Sequence, residues 1–351
     1  MKKLIILFLA VIGIMASSCK KDKNDSQDNT LGNGVFILNQ GNFNSANATL
    51  SYFDPADNTI TNDVFFNVNK VPLGDVAQSI TSSGNTSFIV VNNSGLIYAI
   101  DNRNAKILGS ITGLTSPRFM LIIDQNKAYV SDLYSTRIAV VNPSTYQVVD
   151  SIEVGRTTEG MVMAGSEVFV ANWSAFGQTA KNDMVVVINS LNDVVVDSIR
   201  VGIEPNSLVV DKYDFVWVLC SGGYDNQQVP SLWKIDPRTH FVVDTLIFDT
   251  ITSNPDNLNV NGTGDILYYL NRGIYKFSVD SVALDTVPFI EERKDRHFKY
   301  IGVDPVTGDI YASDPLDYQT NGIIYRYKDS GVLLSKNEAG LIPGAFGFNY
   351  H

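Results

Sequence analysis

The chain has 351 residues, 44% of them hydrophobic and 18% charged, with a formal net charge of −11 and a pI near 4.7. That balance is globular, and it argues against a nucleic-acid partner or an electrostatic membrane-binding face, both of which need a basic surface. The length would ordinarily suggest two domains, but an internal repeat keeps the chain as one folding unit.

Residues 1–18 read as a processing segment: Lys2 and Lys3 form a basic start, Leu4–Met15 is an apolar core too short for a permanent span, and Ala16-Ser17-Ser18 precedes Cys19. Small residues immediately before a Cys resemble a bacterial lipoprotein box, with Ala16 where Leu is usual. On this reading Cys19 is lipidated and anchors the protein to a membrane; the alternative is a plain secretory signal with an incidental Cys. Residues 19–33 then comprise the lipidated Cys and a polar tether without aromatics, reaching roughly 20 Å at 5–6 Å × √n. With Cys19 modified, Cys220 has no disulfide partner. It ends the apolar run Val216–Leu219 and reads as a buried small hydrophobe.

From Gly34 onward a unit recurs, most clearly as VVDSIEVG at Val148–Gly155 and VVDSIRVG at Val195–Gly202. Each unit offers short apolar runs separated by a polar loop and by a turn carrying Asp or Asn: Asp54-Pro55, Asp101-Asn102, Asn142-Pro143, Asn189-Ser190 and Asp236-Pro237. These turns fall 41 to 47 residues apart, the spacing of four-stranded propeller blades. An inner strand precedes each of the later four, at Ile97–Ile100, Ile138–Val141, Val185–Ile188 and Leu232–Ile235. Two more worn units lie around Ile266–Phe277 and Ile310–Tyr327, which makes seven. The fold class is therefore all-β, a seven-bladed β-propeller over residues 34–351. Gly34–Asn39 reads as a second strand with no first strand before it, and Ala345–Tyr350 as a lone strand, so the C-terminal strand is expected to complete the N-terminal blade and remove the open edge.

Catalytic motifs are scarce: there is no phosphate-cradling Gly loop, HExxH, GxSxG or CxxC pair. Of the three histidines, His240 sits in a blade turn and His351 is terminal, which leaves His297 as the one placed for metal or acid/base work. Acidic runs such as Asp54–Asp57 and Asp304–Asp309 read as turn formers and not as calcium ligands. No catalytic residue, metal or cofactor is expected.

Loops after the second strand and loops leading into the next blade converge on one face. The first kind repeats Asn or Ser followed by an aromatic. Such a surface suits a large neutral ligand rich in amides or hydroxyls; the bland alternative is that the Asn and Ser residues cap turns while the aromatics cover blade edges. Expected ligand-binding residues are Phe43, Asp75, Asn93, Arg118, Asp132, Tyr134, Asn172, Trp173, Phe176, Tyr224, Arg272 and Tyr318.

The segments GVFILNQGNF at Gly34–Phe43, LGDVAQS at Leu73–Ser79, Ser116-Pro117-Arg118 and GLIPGAF at Gly340–Phe346 resemble the BtuG-type propeller lipoproteins on the surface of gut Bacteroidetes. The resemblance covers essentially the whole mature chain. It implies capture and not catalysis: an outer-membrane, lipid-anchored protein facing outward that binds cobalamin or a related corrinoid and passes it to a BtuB-like TonB-dependent transporter. Asn, Ser and backbone groups would meet the corrinoid amides, Arg118 or Arg272 its phosphate, and Tyr134, Trp173, Phe176, Tyr224 and Tyr318 its rings. Two other functions fit the same face: glycan binding through the aromatics, and a propeller lyase or hydrolase that would need His297 or a metal.

Overall fold

Each unit of the repeat folds into a four-stranded antiparallel sheet, and seven such sheets close into a β-propeller. The computed structural model describes residues 30–174, 177 and 182–350; residues 1–18, Cys19, Phe176 and His351 lie outside them. From the axis outward, blade one is Pro343–Asn349, Gly34–Asn39, Thr49–Asp54 and Thr59–Thr61. Blade two is Ala77–Ser83, Thr86–Val91, Leu96–Asp101 and Ile107–Ile111, and blade three is Pro117–Ile122, Ala128–Asp132, Arg137–Asn142 and Gln147–Glu153. Blade four is Met161–Ala164, Glu167–Ala171, Met184–Asn189 and Val194–Arg200, and blade five is Pro205–Val210, Val216–Cys220, Ser231–Asp236 and Phe241–Ile247. Blades six and seven, the worn units, start at Asp256–Val260 and Tyr300–Val303 and end at Ile290–Glu291 and Leu333–Leu341.

The recurring turns lie between the third and outermost strands, so the apolar runs before them are the third strands from the axis. Each turn is built the same way. Its first Asp or Asn accepts the N–H two residues on, as Asp54 does from Ala56 (2.8 Å), Asn142 from Ser144 (2.9 Å) and Asp236 from Arg238 (3.0 Å). Its fifth residue (Asn58, Ala105, Tyr146, Asp193 or His240) is left-handed, with φ of 59–61°. That residue hooks the preceding blade. Asn58 accepts Arg326 of blade seven at 3.2 Å, Tyr146 lies against Gly109 of blade two, Asp193 accepts Lys127 and Tyr129 of blade three, and His240 sits between Glu167 and Asp197 of blade four.

After the turn, the Val-Val-Asp-Ser/Thr segment carries a β-bulge. Register slips so that Val149, Val196 and Val243 are the extra residues, as are Leu108 in blade two and Leu334 in blade seven. The Asp that follows the valines accepts the next backbone N–H at 2.7 Å in all three cases. A bulge twists an exposed edge away from pairing with another chain. The other two outermost strands, Thr59–Thr61 and Ile290–Glu291, are simply short.

The core is the set of interfaces between blades: Leu38 and Leu50 of blade one pack with Ile89 and Val91 of blade two, and Val185 and Val187 of blade four with Val216 and Val218 of blade five. The helix Val64–Asn69 seals the first seam with Val64 and Phe65, while Asn69 bonds the Ala105 carbonyl and the Ile107 N–H. Around the axis, neighbouring innermost strands are joined by side chains: Ser79 and Thr81 donate to the carbonyls of Arg118 and Met120 at 2.7 and 2.8 Å.

The ring closes as the two termini indicate. Pro343–Asn349 pairs with Gly34–Asn39, Val35 opposite Phe348, and packs against the innermost strands of blades two and seven. The chain arrives on the turn face, where the Leu31 N–H donates to the Arg103 carbonyl at 2.6 Å.

The His240 hook makes one seam sensitive to pH. Burial works to lower the imidazole pKa, but the bonds to Glu167 and Asp197 outweigh it and hold it above 6.5. Stabilisation by this hook is therefore complete below pH 6.5 and is lost as the pH rises through the raised value. His240→Gln is expected to cost about 1 kcal/mol at pH 6 and much less at pH 9. Urea midpoints of the two proteins at both pH values check this; equal losses at pH 6 and 9 would show that the charge contributes nothing.

Candidate functional site

In an antiparallel blade the loop after the second strand and the lead-in to the innermost strand share one face. The seven lead-ins surround the axis there. Five of the innermost strands begin with a bulge, the register against the second strand slipping at Gly344, Gln78, Arg118, Asn206 and Asn257. Just beside them the backbone is left-handed at Val76, Glu204 and Ile342 (φ 58°, 57° and 54°), a conformation rare for any non-glycine residue and most of all for the β-branched Val76 and Ile342. A bulge re-aims side chains, and the polar groups placed this way meet across blade boundaries.

Arg118 is the centre of that meeting. Its Nε and Nη2 donate to the two carboxylate oxygens of Glu159 at 2.7 and 2.6 Å, and its Nη1 donates to Gln78 Oε1 at 2.7 Å. The pair is nearly closed off from water, with 13% and 9% of the side chains exposed. Burial pushes the Glu159 carboxyl up against the pull of Arg118, and nearby Asp256 adds to the rise. Asp256 and Glu204 are also raised by burial, the first opposed by Lys299 and the second by bonds from the Ser174 hydroxyl and N–H. On the blade-seven side Gln40 donates to the Tyr300 hydroxyl at 2.9 Å.

Aromatic groups frame this polar floor. The Arg118 guanidinium lies over Trp173, 5.5 Å from the ring centroid, and Trp173 is 6.0 Å from Tyr224. Burial and the neighbouring Glu204 push the half-exposed Tyr224 phenol up to about 12, so it is a hydrogen-bond donor at neutral pH. Phe43, Tyr134, Leu316 and Tyr318 stand exposed on the surrounding loops. The mouth thus pairs flat apolar surface with amides, hydroxyls and carboxylates whose charges are largely matched inside the protein.

A model of a domain of unknown function, DUF5074, matches residues 33–336, nearly the whole ring. The chain belongs to the DUF5074 family. No curated protein matches it. Solved structures similar to this DUF5074 chain include a quinonprotein alcohol dehydrogenase-like protein from Bacteroides thetaiotaomicron, with a TM-score of 0.69 at 15% identity over 90% of this chain and 78% of that one. Apo AztD from Citrobacter koseri gives 0.58 at 12% identity, over 89% and 96% of the two chains. Hydrazine synthase from Kuenenia stuttgartiensis gives 0.57 at 16%, over 77% and 88%. At these identities the likeness is one of fold.

Within the DUF5074 ring the described residues expected from sequence divide into four groups. Arg118, Trp173 and Tyr224 meet at the mouth, and Tyr318 lies within electrostatic reach of Lys299 beside it. Phe43, Tyr134 and Arg272 are exposed on the rim, Arg272 making one long bond of 3.5 Å to the Thr252 carbonyl. Asp75 and Asn93, bonded at 2.9 Å, fasten the loop of blade one through Asn44. Asp132 and Asn172 are buried and turned into the loops. Asp132 accepts the N–H groups of Ser116, Tyr134 and Ser135, and Asn172 donates to the Thr157 carbonyl at 2.6 Å. Asn39 and Asn92 hold the same kind of post, so the recurring Asn is a loop clasp.

Gln78, Glu159, Asp256 and Tyr300 are not among the residues expected from sequence, although each lies at or just before the start of an innermost strand. A polar residue at or just before the start of six of the innermost strands (Gln78, Arg118, Glu159, Asn206, Asp256 and Lys299) is the available signal. His297 is exposed at the rim, its ring bonded to Glu292, and no cluster of three His, Cys, Asp or Glu among the described residues is arranged to hold a metal. Cys220 is fully buried, its thiol pushed up by burial. Away from the mouth, an apolar cavity of about 200 Å³ lies between the Ala46–Leu50 segment and Phe65, Phe66 and Leu73.

Proposed function

We propose that this DUF5074 protein is a capture protein that binds cobalamin or a related corrinoid in the axial mouth. Carried on the outer membrane by a lipid on Cys19, it would pass the ligand to a BtuB-like TonB-dependent transporter. The observation that carries the reading is the chemistry of the mouth: a floor of amide, phenol and internally matched charged groups (Gln40, Gln78, Arg118, Glu159, Tyr300) framed by Trp173, Tyr224 and Tyr318. A corrinoid offers complementary features, a broad apolar macrocycle edged by neutral amides. The resemblance of GVFILNQGNF, LGDVAQS and GLIPGAF to BtuG-type lipoproteins points the same way.

The site also refines the mode of binding. Arg118 already gives three N–H groups to Glu159 and Gln78, so a phosphate at Arg118 would have to displace a buried carboxylate. The exposed guanidinium of Arg272 meets it at less cost.

Titration of the chain from residue 30 onward with cyanocobalamin, followed by calorimetry and by retention of colour through gel filtration, tests the proposal. One-to-one binding that survives the column is expected. No binding at high micromolar ligand would remove corrinoid capture and turn the same face over to a glycan screen.

A further inference from the structure

Two apolar jaws flank the mouth, and they are held by different means. Trp173 and Tyr224, in blades four and five, lie tilted against each other beside Arg118, whose guanidinium covers Trp173. Across the axis, in blades seven and one, Leu316 and Tyr318 are each 45% exposed and Phe43 is 67% exposed. Burial does not hold this second jaw in shape.

What holds it is a strained loop. Leu316 and Tyr318 both lie in the left-handed region, with φ of 53° and 61°. Bulky L-residues stay there only where their surroundings enforce it. The enforcement comes from two aspartates. Asp314 accepts the Leu316 N–H at 2.9 Å, and Asp317 accepts the N–H groups of Gln319 and Thr320 and the Thr320 hydroxyl at 3.0, 2.8 and 2.8 Å. The Tyr318 carbonyl accepts Asn42 Nδ2 at 2.9 Å, which fastens this loop to the one bearing Phe43. Tyr318 also lies within electrostatic reach of Lys299, in the lead-in of the same blade. Glycine would suit both positions better for folding, since the side chains present there add backbone strain and leave apolar surface in water.

We propose that Leu316 and Tyr318 are specificity-determining residues, a preset jaw that closes on the apolar face of the captured corrinoid, and that Asp314 and Asp317 are its positioning residues. The proposal rests on the capture reading above. A jaw ordered before the ligand arrives spares the complex the cost of ordering it on binding, and losses of this kind register in the off-rate.

The test uses cyanocobalamin with the wild type, Leu316→Gly and Asp317→Ala, reading association and dissociation rates together with the thermal midpoint. Leu316→Gly is expected to raise the midpoint by about 1–3 °C while dissociation quickens about tenfold. Stability and affinity thus move in opposite directions, which a merely structural role would not produce. Asp317→Ala keeps both jaw side chains, and dissociation is again expected to quicken about tenfold with association within about twofold of wild type. Wild-type dissociation rates in both variants, or a midpoint that falls along with affinity in Leu316→Gly, would overturn the jaw while leaving capture intact. A wild type that binds no cyanocobalamin fails the capture reading itself, and the jaw falls with it.

Discussion

Truncation after Leu341 is expected to abolish the cooperative unfolding transition. The strand removed, Pro343–Asn349, is the innermost strand of blade one and lies against its neighbours on both sides of the ring. Without it Val35, Phe36, Ile37 and Leu38, none more than 1% exposed, lose their cover, at roughly 1.5–3 kcal/mol each. Phe346 and Phe348 also leave the side of Tyr311, where their centroids lie 6.0 and 5.7 Å from its ring. Asn349 gives up its bond to the Asn102 carbonyl, and Tyr350 its bond to Asp304. The total rivals the about 5–15 kcal/mol that a whole domain commands. Urea unfolding followed by tryptophan fluorescence reads the outcome, and adding back a peptide of residues 342–351 is expected to restore part of the transition. A truncated chain that unfolds cooperatively within about 2 kcal/mol of the full one would show that the ring holds without its closure.

The second large effect is expected at the Arg118–Glu159 pair. Arg118→Met leaves a buried carboxylate facing Asp256 without its cation, a change of the kind that costs about 3–5 kcal/mol. Replacing both partners, Arg118→Met with Glu159→Leu, removes the mismatch and is expected to return stability to within about 1 kcal/mol of the wild type. Cyanocobalamin binding is not expected to return with it. The double variant also lacks the cation over Trp173 and the charge-assisted floor, and a loss of about a hundredfold, near 2.7 kcal/mol, is expected. Calorimetry and thermal unfolding on the same preparations separate the two roles. A double variant as unstable as the single one would contradict the stability account, and one that binds like the wild type would place the ligand elsewhere.

Much of this architecture was legible in the chain because it is local and repeated. The valine pair and Asp of the outermost strand fix a bulge through one short side-chain-to-backbone bond, and the Asp-Pro or Asn-Pro turn needs only five residues to form. The termini were legible because each lacks something: Gly34–Asn39 an inner neighbour, Ala345–Tyr350 a sheet. The mouth was only partly so. Arg118 is visible as a cation in a lead-in, but its match with Glu159, 41 residues away, depends on two blades meeting at the axis. The repeated Asn after the second strand is ambiguous for a related reason, since a residue that clasps a loop recurs as faithfully as one that faces a ligand. The left-handed conformations of Leu316 and Tyr318 leave no trace in residue type, because their aspartate supports read like any polar turn.

The pairing of Val35 with Phe348 also sets the order of events when the chain is made. Every other blade is contiguous in sequence and has all its strands once its own segment has emerged, but the first blade waits for the last. Closing it brings together residues at opposite ends of the molecule, a step of the highest sequence separation available and so a slow one. Until then Gly34–Asn39 is an uncovered edge. Maturation of this propeller is thus timed by the arrival of Pro343–Asn349, and a chain that lacks this strand keeps the edge of Gly34–Asn39 uncovered.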